Sequence, residues 1–181
     1  MADEIFVKNL NSLIGLFINT IDWLKSNGVE TSLNTVILTF GHKMALNSSP
    51  HEQITNFIQK SYEYWPAIRD NDEKFLMENA EIFFEGVPLE YIKEVKRLLS
   101  EKDENGDFII PETPTRKSIW KFLEALVKNS ILYIHQYRCP DPITKKYKIA
   151  YFGVVRDMEG NKISEGISVR ENAEFWGVVI K

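Results

Sequence analysis

Residues 115–138 read TRKSIWKFLEALVKNSILYIHQYR, and they decide the fold class. Ile119, Phe122, Leu123, Leu126, Val127, Ser130, Ile131 and Ile134 recur at spacings of three and four, the period of a helix with one face in a core. The run holds no proline or glycine, starts just after Pro114, and is stopped by Pro140 and Pro142. The spacing predicts one long helix with four turns of core contact.

The same period extends back to the N-terminus. Phe6, Leu10, Leu13, Phe17, Ile21 and Leu24 predict a helix from about Asp3 to Ser26, stopped at Asn27-Gly28. Ser32 opens a second helix with Leu33, Val36, Ile37, Phe40 and Met44 inside. Ser49, Pro50 and Glu52 have the spacing of a capping box with proline at the first helical position. They predict a third helix that turns Ile54, Phe57, Ile58 and Ser61 inward and ends at Pro66. Asp70 and Glu73 repeat the cap spacing ahead of Phe75, Leu76, Ala80 and Phe83, and Pro88 opens a fifth helix over Ile92, Val95, Leu98 and Leu99.

Beyond residue 138 the pattern changes. Tyr147 to Val155 is rich in β-branched and aromatic residues, and Glu159-Gly160-Asn161 is a turn signal. Ile163 to Val169 and Phe175 to Ile180 read as further short strands. The expected fold class is therefore α+β, a single domain over residues 1–181. Residues 1–138 are mostly α-helical with about six helices, and residues 139–181 form a small C-terminal antiparallel β-sheet.

Composition bounds the function. The chain has 181 residues, 44% apolar and 27% charged, enough for a core without disulfides or metal. Cys139 is the sole cysteine, which excludes an internal disulfide and a Cys-rich zinc site and fits a reducing, cytoplasmic location. The N-terminus lacks the basic region of a secretory signal. The Ile5–Leu24 stretch is too interrupted, by Lys8, Asn9, Asn11, Asn19 and Asp22, for a membrane span. Charge is uneven: residues 51–112 hold 7 basic against 15 acidic residues, and residues 113–181 hold 12 against 7. An acidic middle and a basic last third suit an anionic partner or self-association.

No phosphate-binding loop, dinucleotide fingerprint, zinc-protease helix or nucleophile elbow is present, and no catalytic residue is nominated. Three local patterns carry chemistry. Residues 101–112 align with a twelve-residue calcium loop: Glu101, Asp103 and Asn105 at positions one, three and five, Gly106 at six, Asp107 at seven and Glu112 at twelve. Glu101 stands where the motif wants Asp, and Pro111 and Pro114 interrupt the place of the exiting helix. The basic third offers Arg116, Lys117, Lys121, Lys145, Lys146 and Lys148 with tyrosines among them, a composition that suits phosphates and stacked bases. Tyr62, Tyr64 and Trp65 crowd one short segment and cannot all face one core, so they are the candidate anchors of a protein interface.

Two stretches also resemble a known group of proteins. They are Tyr64-Trp65-Pro66-Ala67-Ile68-Arg69-Asp70 leading to Phe83-Phe84, and Trp120 through His135. Both are similar in style to small, largely helical proteins of large nucleocytoplasmic DNA viruses. The resemblance implies a minor virion component or a host-interaction factor, in host cytoplasm or virion, and transfers no catalytic residue. The expectation is a non-enzymatic interaction or structural protein that binds a protein partner or itself. The alternatives are a calcium-binding module at 101–112 and an anion or nucleic-acid binder at 116–148.

Overall fold

A computed structural model describes residues 1–35, 38–39, 48–83, 88–138 and 169–180. Helix α1 (Ala2–Ser26) follows the predicted stripe: Phe6, Leu13, Ile21 and Leu24 are buried, with Leu10 and Phe17 packed beside them. Its end is closed by the main chain. Gly28, at φ +79°, donates its N–H to the Lys25 carbonyl at 3.1 Å, and Val29 donates to the Leu24 carbonyl at 3.0 Å. This double closure needs a left-handed residue, which glycine supplies without strain.

Helix α2 (Pro50–Ser61) carries the expected capping box. The Glu52 N–H donates to Ser49 Oγ at 3.2 Å, and the Ser49 N–H donates to Glu52 Oε2 at 2.8 Å. Contrary to expectation, Pro66 does not end the helical path. A 3-10 turn over Tyr62–Tyr64 leads into α3 (Trp65–Arg69), with Pro66 in its first turn. There its missing N–H would have had no partner in any case. Asn71, at φ +52°, closes α3 in the same way that Gly28 closes α1. Helix α4 (Glu73–Glu78) is capped by Asp72, whose carboxylate accepts the Phe75 N–H at 3.0 Å, and not by Asp70. Asp70 is taken up by its neighbour Arg69. Short α5 (Ala80–Phe83) and α6 (Leu89–Ser100) follow. A wide turn over Glu112–Arg116 leads into α7 (Lys117–Arg138), and α8 (Val169–Trp176) lies beyond.

The long pairing of α1 with α7 is the frame of the described structure. The two run antiparallel: Gln136 near the end of α7 meets Met1 at the start of α1. Around the N-terminal half of α1, Phe6 and Leu13 join Ile54 and Ile58 of α2, Trp65 and Ile68 of α3, five side chains of α7 from Leu126 to Ile134, and Val169, Ala173 and Trp176 of α8. Around its C-terminal end, Ile21 and Leu24 join Leu33, Leu98 of α6 and Ile110 in a second cluster. Each such fully buried side chain contributes about 1.5–3 kcal/mol. Tertiary burial of this kind, more than helix propensity, holds short elements such as α3 in place.

The expected C-terminal sheet is corrected by this structure. No strand occurs among the described residues, where the sole β pairing is an isolated antiparallel bridge between Lys102 and Phe108. Val169, expected to end one strand, and Phe175 and Trp176, expected to begin another, lie with the residues between them in α8. Val169, Ala173 and Trp176 are buried at helical spacings of four and three. Gly177, at φ +62°, closes α8 as Gly28 closes α1, and residues 178–180 continue without pairing. The expected strands at 147–155 and 163–168 lie outside the described residues, as do Val36, Ile37, Phe40 and Met44 of the expected second helix. No helix among the described residues is long and apolar enough to cross a membrane.

Candidate functional site

The three expected anchors separate on inspection. Trp65 is 1% exposed, in the main core, and its indole N–H donates to the buried Ser61 Oγ at 2.9 Å. Tyr64 is buried as well and packs on Phe75 with ring centroids 5.9 Å apart. Both are core side chains, which corrects the expectation of surface anchors. Tyr62 alone reaches solvent, with its ring at 80° to Trp65 and 5.2 Å away. The crowding seen in the sequence is resolved by different ring partners: Tyr62 packs edge-on against Trp65, and Tyr64 packs against Phe75.

Arg69 is the last residue of α3 and is partly exposed. Its guanidinium lies over the ring of Phe175 from α8, 3.5 Å from the centroid. It also grips the Asp70 carboxylate with two N–H donors, at 2.6 and 3.0 Å. That fork holds the Asp70 carboxyl below the usual carboxylate range. Phe175 remains 51% exposed beneath this cover. Two ordered, solvent-reaching pairs result: an exposed tyrosine braced on a buried tryptophan, and an exposed phenylalanine stacked on a tethered arginine. Sequence reading placed Phe175 in a strand and so missed it; the Val169–Ala173–Trp176 spacing was the available signal.

The calcium-loop residues have other occupations. Asp103 Oδ1 accepts the N–H groups of Asn105 and Asp107 at 2.8 and 3.0 Å, and the Asp103 N–H donates to the Asp107 carbonyl at 2.8 Å. Gly106, at φ +85°, donates to the Asp103 carbonyl at 3.0 Å, and the Lys102–Phe108 bridge closes the hairpin. Asp, Asn and Gly at these spacings are therefore spent on turn chemistry. Glu101 pairs with Arg97. Glu112 is followed by extended backbone at Thr113, with φ −120° and ψ 129°, and not by a running helix. The described residues hold no group of three or more His, Cys, Asp or Glu placed to bind a metal.

The basic patch divides too. Arg116 is 6% exposed and structural. Its Nε donates to the Ile110 carbonyl at 2.9 Å, Nη1 to Glu73 Oε1 at 2.5 Å and Nη2 to the Leu99 carbonyl. The ring of Phe108 stacks on it at 4.2 Å. This buried clasp was read in the sequence as part of an exposed patch, which the structure corrects. Lys117 and Lys121 are exposed on α7, and Lys145, Lys146 and Lys148 lie outside the described residues, as does Cys139.

One open cleft of about 690 Å³ lies between the end of α1 and α6, lined by Lys25, residues 28–32, Glu94 and Arg97. Its cations are committed within the chain. Lys25 Nζ donates to the Leu33 carbonyl at 2.8 Å, and Arg97 to the Glu30 carbonyl and to Glu94, both at 2.8 Å. The Arg97 bond, with further donors from Thr31 and Ser32, lowers the Glu94 carboxyl to about 2. No family model, curated protein or solved structure matches this chain.

Proposed function

We propose that this chain is a non-enzymatic interaction protein that docks a protein partner on the surface formed by Tyr62, Arg69 and Phe175. The observation that supports the reading is Phe175, half exposed yet fixed beneath the Arg69 guanidinium at 3.5 Å. An aromatic ring already ordered in the free protein loses little side-chain entropy on binding. Tyr and Arg are over-represented among the residues that dominate interface energies. The resemblance to small helical viral proteins carries the same reading, a virion component or host-interaction factor.

The test compares partner recovery by the wild-type chain with that of Phe175→Ala/Tyr62→Ala, followed by titration calorimetry with the recovered partner. If the two rings are anchors, the double variant loses about 2 kcal/mol or more of binding, at least tenfold in affinity. Its melting temperature stays near that of the wild type, because both side chains are substantially exposed. Trp65→Ala serves as the contrast. It should lower folding stability by about 3–5 kcal/mol, the cost of emptying a buried aromatic site. A double variant that stays folded and binds as well as the wild type would remove this surface from consideration.

A further inference from the structure

The chain holds two Asn-Gly dipeptides, Asn27-Gly28 and Asn105-Gly106. Such pairs are chemically vulnerable because glycine has no side chain to hinder its own backbone nitrogen from approaching the preceding carboxamide. The fold treats the two differently. At Asn27 both reacting groups are engaged. Its Nδ2 donates to the Trp23 carbonyl at 2.8 Å, and the Gly28 N–H donates to the Lys25 carbonyl at 3.1 Å. The next residue, Val29, is tied to the Leu24 carbonyl at 3.0 Å and packs in the same apolar cluster as the fully buried Leu24. Freeing Gly28 therefore disturbs the end of α1 and the second core cluster.

At Asn105 the constraints are few. The carboxamide makes no hydrogen bond among the described residues, and both Asn105 and Gly106 are exposed. Only the bond from the Gly106 N–H to the Asp103 carbonyl, 3.0 Å, has to open to release the nucleophile. The pair sits at the tip of the hairpin, beyond the Lys102–Phe108 bridge, so that opening leaves both core clusters untouched.

We infer that Asn105 is a site of spontaneous modification, deamidating through a succinimide, while Asn27 is protected by the end of α1. The Gly106 backbone nitrogen loses its proton and forms a bond to Asn105 Cγ. The Cγ–Nδ2 bond breaks, and the nitrogen leaves as ammonia. Water then adds to either ring carbonyl and opens the ring to aspartate or isoaspartate, with no change of oxidation state. The product adds a carboxylate to the acidic run of Asp103, Glu104 and Asp107, where Lys102 is the one cation between residues 101 and 112. Isoaspartate also adds a methylene to the main chain within the turn that Asp103 organises.

The experiment incubates the full-length folded chain and a denatured sample side by side at mildly alkaline pH. Conversion at each asparagine is read by peptide mass spectrometry and by enzymatic isoaspartate methylation. In the denatured chain the two sites should convert at comparable rates. In the folded chain Asn105 should convert roughly tenfold faster than Asn27, as expected from the extra hydrogen bonds that hold Asn27-Gly28. Asn105→Gln, which must close a larger ring, should abolish conversion at that position and leave Asn27 unchanged. Equal rates in the folded chain would overturn the inference. So would an Asn105 that stays intact while the denatured sample converts.

Discussion

Replacing Arg116 by alanine should destabilise the fold by about 3–5 kcal/mol, and the sum follows from its partners. The guanidinium is buried and serves three acceptors: the Ile110 carbonyl, the Leu99 carbonyl and the Glu73 carboxylate. Ile110 is 6% exposed, so removal of the donor strands main-chain acceptors in a poorly hydrated place. Each stranded acceptor costs about 1–3 kcal/mol. Glu73 retains 39% side-chain exposure and regains water, so its share is small. The stacked Phe108 ring loses a cation contact of about 0.5–1 kcal/mol. Lysine would keep the charge but bring one nitrogen in place of a fork, and should recover less than half of the loss. Glu73→Gln should cost no more than about 1 kcal/mol. Urea denaturation followed by tryptophan fluorescence measures all three. For a chain of this size the alanine variant should melt about 10 °C lower. If Arg116→Ala fell within about 1 kcal/mol of wild type, or Arg116→Lys matched it, the clasp would not be organising α4, α6 and α7.

Two further outcomes are expected. Glu94 is held to about 2 in the folded state, chiefly by Arg97, against an ordinary value of 4.5. A carboxyl lowered on folding stabilises above its unfolded value and loses that contribution as the pH falls toward its folded value. Stability should therefore drop between about pH 5 and pH 2, and Glu94→Gln should flatten that part of the profile by on the order of 1–2 kcal/mol. Denaturation midpoints across this range check it, and an unchanged profile in the variant would place the acid sensitivity elsewhere. Ser49→Ala removes the acceptor for the Glu52 N–H and should cost about 1 kcal/mol, read as a melting temperature lowered by about 2–4 °C. No change would mean that α2 starts without its cap.

The features legible in the residues alone were local and periodic. The stripes of α1, α2 and α7 appear in the structure with the expected residues inward, because a spacing of three to four on a continuous helix leaves only one way to hide those side chains. The capping box at Ser49 and the stop at Gly28 were equally legible, since each is settled within a few residues. Long-range packing selected among several equivalent local options. Pro66 has the same chemistry whether it ends a helix or begins one, and burial of Trp65 and Ile68 against α7 selects the beginning. The segment 169–176 is short enough for its apolar residues to suit strand or helix, and contact with α7 settles it as helix. Asp103, Asn105 and Gly106 suit a calcium loop and a tight turn alike, and the main-chain donors within reach of Asp103 fold them into the turn. Arg116 and the Tyr62–Arg69–Phe175 surface depend on partners 43 and 106 residues away in sequence. No local pattern encodes such distances; the packing of α3 and α8 on α7 and the approach of Glu73 to Arg116 create both.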